Sequence, residues 1–365
     1  MTKARTNASA SPAVGRNMII NGAMNVAQRS ASVTGIGAAA GYFTCDRWKI
    51  ETASSAGRLT MTQTADGPNG ISANCIKLDC TTADTSIDAL EYLILSQYLE
   101  GQNLQRIGKG VAGAKQVTIS FYVKANAAFN FVAEIRDFDN GRTISKLFAT
   151  TTDWVRHEIL IPADVDDGSS PFDDDNASSA ALNFWLHAGS NYTSGTLATE
   201  WANLSNTTRV AGIDSFYSST DNNFFITGVQ MEVGPVATEF EQEEISTTLK
   251  KCQRYYYKNG ITTSNQDPFG VGQGFSATVG DILTFFPTTM RIAPTALEQN
   301  GTATDYRIFG TGGNFTACSS VPTFNGCTTN SGRSKFTTAD GNADRAAFFG
   351  NGTDASAYLA WSAEL

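Results

Sequence analysis

Gln116-Val-Thr-Ile-Ser-Phe-Tyr-Val-Lys124 decides the fold class. Its apolar and polar side chains alternate, and its β-branched and aromatic residues suit a pleated, half-buried surface. The pattern recurs on both sides. Downstream lie residues 129–137, the turn Asp139-Asn-Gly141, residues 143–150, and residues 155–161 ending at Pro162; upstream lie residues 58–64 and 75–80. Strands set off by turn residues at spacings of about 8–12 are the mark of a β-sandwich or jelly roll. Residues 89–101 fit helix or strand by periodicity alone, and Gly101 with the short turn after it favours strand. Residues 181–188 and 222–233 supply the last strands of this part.

The chain has 365 residues, enough for two or three domains. Only 17% of them are charged, below the roughly 25% of ordinary soluble domains, and 33 are glycine. The net charge of −9 argues against nucleic-acid binding, because phosphate contacts need clustered Lys and Arg. There is no run of about 18 apolar residues, so no membrane insertion by a helix is expected. The start, Met1-Thr-Lys-Ala-Arg5, is positive without an apolar stretch behind it, unlike a signal peptide. Cys45, Cys75, Cys80, Cys252, Cys318 and Cys327 show no metal-ligand spacing and are expected to be free, mostly buried thiols.

Residues 1–16 are small and polar and are expected to form a flexible attachment peptide. The fold then begins at Arg16-Asn-Met-Ile-Ile-Asn-Gly-Ala-Met-Asn-Val-Ala-Gln-Arg29, around an Asn-Gly turn signal. In Tyr42-Phe-Thr-Cys-Asp-Arg-Trp-Lys-Ile50 the side chains divide between two faces, as in a strand. Gly234-Pro235 forces a turn. The acidic run 239–244 suits a helix N-terminus and Lys250-Lys251 its C-terminal end, which predicts a helix over 242–251. After Cys252 the strand pattern restarts. The expected architecture is all-β: a jelly-roll β-sandwich over 17–240, a short linker helix and strand over 241–258, and a smaller C-terminal β domain over 259–365.

Four stretches resemble a module of tail-fibre and receptor-binding proteins of tailed bacteriophages. They are Arg16 through Arg29 as quoted, Asp46-Arg-Trp48, residues 91–105 with Val117-Thr-Ile-Ser-Phe-Tyr-Val-Lys124, and residues 226–258. The last contains Gly228-Val-Gln-Met-Glu-Val-Gly-Pro-Val-Ala-Thr-Glu-Phe-Glu241 and Leu249-Lys-Lys-Cys-Gln-Arg-Tyr-Tyr-Tyr-Lys258. The ending Tyr358-Leu-Ala-Trp-Ser-Ala-Glu-Leu365 also looks like the closing strand of such fibres, and with it the resemblance runs from end to end in the family's order. It implies a large domain similar to a carbohydrate-binding-module jelly roll and a homotrimer carried in the virion tail after synthesis in the host bacterial cytoplasm. It also implies attachment to other tail proteins through the N-terminus. Non-enzymatic binding of a host surface polysaccharide or lipopolysaccharide during adsorption follows. The alternative is a structural adaptor, or a side or head fibre, with no receptor contact; a capsule-degrading glycosidase is a third.

Sugars stack their CH faces on aromatic rings while polar side chains bond their hydroxyls. Tyr192 and Trp201, in the polar loop Gly189-Ser-Asn-Tyr-Thr-Ser-Gly-Thr-Leu-Ala-Thr-Glu-Trp-Ala202, are glycan-binding candidates. So are Tyr306, Phe315 and Phe324, in Gly/Asn/Thr-rich loops of the C-terminal part. Each ring equally fits a core, with Trp201 closing one end of the sandwich. Tyr255, Tyr256, Tyr257 and Leu249 carry more apolar surface than one small segment hides, and are the candidate trimer contact. Asp166, Asp167, Asp173, Asp174 and Asp175 crowd one loop and are candidates for a structural Ca²⁺, although an acidic loop is otherwise a solvated one. No other cofactor is implied. His157 and His187 have no acid at ligand spacing, and neither a Ser-His-Asp triad nor a paired-carboxylate site can be assembled. The glycine runs 35–41 and 270–274 lack a Gly-Lys-Ser/Thr ending and read as loops. No catalytic residue is expected.

Overall fold

A computed structural model describes residues 15–165, 170–260, 267–310, 315–339, 348–352, 354 and 356–365. The chain divides into two compact units, Met1–Ile245 with Leu365, and Ser246–Glu364. Most of residues 1–16, the expected attachment peptide, lies outside the described residues.

Thirteen strands build the first unit: β1 (Ser32–Ile36), β2 (Gly41–Tyr42), β3 (Lys49–Ala53), β4 (Arg58–Thr64), β5 (Cys75–Thr82), β6 (Tyr92–Glu100), β7 (Val117–Ala125), β8 (Asn130–Asp137), β9 (Arg142–Ala149), β10 (Val155–Ile161), β11 (Ser178–Ala188), β12 (Ala202–Asn203) and β13 (Asn223–Val233). They form a six-stranded sheet, β1-β4-β5-β13-β7-β10, and a seven-stranded sheet, β12-β9-β8-β11-β6-β3-β2. The pairings are antiparallel, and β13 and β11 each insert between strands distant in sequence, as in a jelly roll. The ambiguous piece at 89–101 is strand β6, the partner of β11. Period-two alternation sends Phe121 of one sheet against Phe148 and Phe184 of the other, with ring centroids 5.1 and 4.9 Å apart. Phe131, Phe224, Trp48 and Leu95 join them in one fully buried core.

One expected strand-like segment is irregular. The run 42–50 breaks between β2 and β3, where Arg47 takes φ 71° and the Asp46 carboxylate accepts the Gln28 N–H at 2.9 Å. Residues 16–29, where the sequence carries its Asn-Gly turn signal, form a turn with irregular backbone on either side. There Asn21 has φ 59°, its Nδ2 donates to the Val26 and Asp46 carbonyls, and Gly22 lies against the Val229 carbonyl, leaving no room for a Cβ. Two of the resembling stretches therefore meet at a backbone contact that only glycine permits.

Between them, α1 (Ser190–Thr193) and α2 (Ile245–Gln253) complete the named helices. The second starts later than expected. Residues 239–244 are not helical, because Glu241 accepts the N–H groups of Gly15 and Asn17 at 2.6 and 2.8 Å, while Gln230 and Glu232 hold Thr238 and Glu241. The carboxylates cap the sandwich instead of a helix N-terminus.

In the second unit β14 (Tyr256–Gly260), β22 (Tyr358–Ser362) and β17 (Glu298–Gln299) pair as a three-stranded sheet. A closed barrel follows the order β15 (Pro268–Gly274), β16 (Val279–Phe285), β20 (Ser331–Thr338), β19 (Phe315–Cys327), β18 (Tyr306–Gly310), β21 (Phe348–Gly352). The glycine run 270–274, expected as a loop, is strand β15. A Cβ on Gly270 or Gly272 would meet the Leu283 or Asp281 carbonyl of β16 at 2.2 or 2.0 Å, so the glycines serve close strand approach. Phe269, Ile282, Tyr306, Phe336 and Trp361 fill this unit's core. All six cysteines are free, and only Cys327 is more than slightly exposed.

Candidate functional site

The outer face of the seven-stranded sheet carries the site. Register sets its rows: Thr143, Arg136, Ala181 and Tyr98 face one another across β9, β8, β11 and β6. The next row is Ser145, Glu134, Asn183, Ser96 and Lys49, and the one after it Leu147, Val132, Trp185, Ile94 and Glu51. Where a solvated face would show Lys, Glu and Thr, this one shows Tyr92, Tyr98, Trp185 and, just past β8, Phe138. The loop after β11 folds back over the sheet. Within it α1 places Tyr192 edge-on to Tyr92, with centroids 5.6 Å apart, and 5.4 Å from Trp185.

Glu134 organises the floor. It is fully buried and accepts five hydrogen bonds. Thr143 Oγ1 (2.9 Å) and Arg209 Nε (2.6 Å) donate to one oxygen; Asn183 Nδ2, Trp185 Nε1 and Arg209 Nη2, each at 2.8 Å, donate to the other. Burial alone would raise its pKa, but the Arg209 guanidinium and these donors outweigh burial and hold the carboxyl below the usual range. Arg209 also lies 4.5 Å above the Trp185 ring, so indole and guanidinium fix each other. The Asn183 carbonyl oxygen accepts the Ser96 hydroxyl at 2.8 Å, extending the network toward β6.

Above this floor opens a cleft of ≈ 290 Å³, near the lower end of the roughly 300–1,000 Å³ typical of small-molecule sites. Tyr92, Tyr98, Phe138, Arg136, Glu51 and the exposed Asn206 form its accessible lining. Tyr98 and Phe138 stack with centroids 5.5 Å apart and planes 2° from parallel. The Tyr98 hydroxyl donates to Glu51 at 2.9 Å, and Lys49 pairs with the same carboxylate at 2.7 Å while sitting 4.8 Å from the Tyr98 ring. Burial, with Glu51 next to it, pushes the Tyr98 phenol well up, so it stays a neutral donor. The arrangement offers flat rings beside fixed polar groups, and nothing in it is poised as a nucleophile.

The structure separates the sequence candidates. Tyr192 belongs to the cleft floor. Trp201 does not: its Nε1 donates to the Pro162 carbonyl at 2.9 Å and its ring packs on the sandwich core, closing one end. Tyr306 is fully buried in the second unit, its hydroxyl donating to the Tyr358 carbonyl at 2.8 Å, which corrects the expectation of a surface ring. Phe315 and Phe324 are exposed, as a surface role requires, but on strand β19 rather than in loops; Arg307 covers one face of Phe315 at 3.9 Å. Phe275 and Phe285 of the same unit are far more exposed, and the sequence reading passed over them.

Tyr255 and Tyr256 are buried, the Tyr256 hydroxyl donating to Glu298 at 3.0 Å, and Tyr257 stacks 6.1 Å from Trp361; Leu249 is half-buried on α2. With Tyr255 and Tyr256 buried within the single chain and Tyr257 packed on its unit's core, these rings are not the exposed apolar surface expected at an interface between chains. Of the acidic loop, Asp166 and Asp167 lie outside the described residues, and Asp173, Asp174 and Asp175 are exposed. Among the described residues no three His, Cys, Asp or Glu side chains gather as a metal site. The neighbouring Asp164 is buried in a bidentate pair with Arg142 and lies 3.2 Å from Lys109, which also meets Asp137 at 2.7 Å.

One grouping absent from the sequence reading is Ser215–His187–Glu91. Ser215 Oγ lies 2.8 Å from His187 Nδ1, and Glu91 3.2 Å from Nε2. The imidazole is fully buried and flanked by Tyr217 at 5.3 Å, and burial lowers its pKa despite Glu91, so it is neutral and ties the 215 loop to β11. His157 bonds the Ala149 carbonyl at 2.8 Å between neighbouring strands.

No protein-family model matches the chain, and no curated protein matches it. Among solved structures, a domain of bacteriophage CBA120 tailspike protein 4 aligns at 13% identity over 60% of this chain, with a TM-score of 0.31; the chain spans only 22% of that protein's length. A family 11 carbohydrate-binding module from Clostridium thermocellum aligns at 13% identity over 53% of this chain and 91% of its own, with a TM-score of 0.27. An exo-β-agarase aligns at 10% identity over 62% and 26%, with a TM-score of 0.31. At such scores, function is argued from this chain's own residues.

Proposed function

We propose that this chain is a non-enzymatic glycan-binding protein and that the cleft on the seven-stranded sheet is its binding surface. One observation carries the reading: accessible rings of Tyr92, Tyr98 and Phe138 stand over a floor that Glu134 locks in place. A pyranose stacks its CH face on such rings while its hydroxyls bond Asn206, Glu51 and the tyrosine hydroxyls. Because the rings are already fixed, little is lost in ordering them. Carboxylate chemistry favours binding over hydrolysis. A glycosidase needs an acid with a raised pKa beside a second carboxylate, whereas Glu134 is buried, ion-paired and held ionised, and Glu51 is engaged by Lys49 and Tyr98. The test is glycan binding by the full chain and by Tyr98→Ala. Loss of one stacking ring should weaken binding about fivefold to thirtyfold. Equal affinity of the two proteins would sink the cleft reading, and release of reducing sugar would revive the enzyme.

The end-to-end motif resemblance supports a finer reading. The chain serves as a homotrimeric tail fibre of a phage virion, made in the host cytoplasm, attached to other tail proteins by its N-terminus and adsorbing to a host surface polysaccharide or lipopolysaccharide. With Tyr255 and Tyr256 buried in the single chain, Phe275 and Phe285, the most exposed phenylalanines among the described residues, are apolar surface available to neighbouring copies. Light scattering at three times the monomer mass is expected; a stable monomer at micromolar concentration counts against it. A purified protein that neither binds host cells nor slows infection would leave the structural adaptor as the better account.

A further inference from the structure

Arg136 is the cleft cation without a counter-ion. It projects from β8 opposite the small Ala181 of β11, which leaves its guanidinium facing the opening. The other cations around this end of the sheet each have a carboxylate: Lys49 has Glu51, Arg209 has Glu134, Lys109 has Asp137 and Arg142 has Asp164. Arg136 forms no ion pair among the described residues, and its buried Nε meets no acceptor. Its guanidinium carbon lies 4.8 Å from the Phe138 ring, which is stacked against Tyr98. Glu51 and Glu134 are taken by Lys49 and Arg209, so the cleft carries a surplus positive charge on a chain of net charge −9. Burial and the like charge of Arg209 lower the Arg136 pKa, and the nearby Glu134 carboxylate offsets only part of this because it is already paired with Arg209. A half-desolvated guanidinium without an acceptor is unfavourable until an anion arrives, and its planar fork matches an oxyanion bidentately.

We infer that the cleft selects an acidic glycan, in which Arg136 receives the oxyanion of a charged sugar while Tyr98 and Phe138 stack on a ring of the same chain. This deepens the glycan-binding reading and rests on it. A carboxylate from a uronic acid and a sulfate or phosphate ester present the same chemistry, and the experiment separates them.

Titration calorimetry on the full chain would compare an oligogalacturonate, its neutral methyl ester, a sulfated galactan oligosaccharide and the unsulfated parent. The expected result is at least about tenfold tighter binding of an acidic member than of its neutral counterpart, weakening as salt rises. The pair showing the preference identifies the anion. Arg136→Met should remove that preference and keep the residual neutral affinity, Arg136→Lys should keep part of it, and Tyr98→Ala should weaken acidic and neutral ligands alike. Because no carboxylate among the described residues pairs with Arg136, and a Met side chain still packs on the Phe138 ring, Arg136→Met should melt no lower than the parent protein. Equal binding of acidic and neutral members that still depends on Tyr98 overturns the acidic selectivity alone. Binding of all four with no effect of Tyr98→Ala, or no binding of any, overturns the cleft reading as well. A lowered melting temperature for Arg136→Met would make the residue structural and refute the inference.

Discussion

Replacing Glu134 by Gln tests whether the cleft floor is one coupled unit. The carboxylate takes three donors on one oxygen and two on the other, with no solvent access. An amide keeps the shape but turns one oxygen into a donor, so it must face either Thr143 and Arg209 Nε or Asn183, Trp185 and Arg209 Nη2 with donor against donor. Arg209, itself only 5% exposed, is left without its charge partner. Breaking a buried ion pair by removing one member costs about 3–5 kcal/mol. At roughly 2–4 °C per kcal/mol for a unit of this size, the first unit should melt roughly 6–20 °C lower. Four of the five tryptophans (Trp48, Trp154, Trp185 and Trp201) lie in that unit, so fluorescence during urea or thermal unfolding follows it. Arg209→Met should cost a similar amount. The double variant should fall short of the sum of the two, with a coupling of about 0.5–3 kcal/mol. A loss below about 1 kcal/mol for Glu134→Gln, or strictly additive singles, would show that the network does not hold the site.

Gly22→Ala should destabilise the first unit by about 1–3 kcal/mol or prevent its folding, because the added Cβ would lie 2.0 Å from the Val229 carbonyl; urea midpoints check this. Acid sensitivity should begin with the histidines. His187 and His157 have folded pKa values below 6.5, so their contribution is complete above pH 6.5. It is lost as pH falls, when the unfolded chain takes up protons that the folded rings refuse, at up to about 1.4 kcal/mol per pH unit for each ring. His187→Gln should flatten the stability profile just below pH 6.5, and an unchanged slope would contradict a neutral buried imidazole. Trp201→Phe, which abandons the bond to Pro162, should lower stability without changing glycan affinity, since that ring lies outside the cleft.

Much of the first unit's strand order was legible because its strands report on themselves. Residues 117–125 and 223–233 alternate or run apolar between turn residues, and β7 and β13 fall where that pattern puts them. The failures have local causes. At 42–50 the alternation is real, yet Arg47 leaves the β region to place Asp46 against Gln28, a tertiary demand that overrides propensity. At 239–244 the acidic run looked like a helix start, but Glu241 is consumed by N–H groups more than two hundred positions upstream. In the second unit β15 and β19 are rich in Gly, Ser, Thr and Cys, so they read as loops; barrel closure, not apolar content, makes them strands.

The cleft was less visible for a geometric reason. Its members come from β3, β6, β8, β11 and the loop after β11, so Glu51 and Arg209 are 158 positions apart and meet only through register. A one-residue slip in β6 or β11 would turn Tyr98 or Trp185 into the core and abolish the site. Sequence inspection ranked rings by the polarity of their surroundings, which selected Tyr192 and Trp201 in a polar loop and passed over rings inside strands. The usable signal was the identity of alternate residues: Tyr92, Ile94, Ser96 and Tyr98 occupy the outward positions of β6, where a purely solvated face favours Lys, Glu and Thr. Aromatic residues repeated on the outward face of a central strand require either a covering element or a ligand. Here the 189–209 loop, through Tyr192 and Arg209, covers Trp185 and one edge of Tyr92, which leaves Tyr98, Phe138 and the rest of Tyr92 open beside Arg136. In the proposed reading, the uncovered part of that face is where a glycan makes up the burial that the fold leaves incomplete.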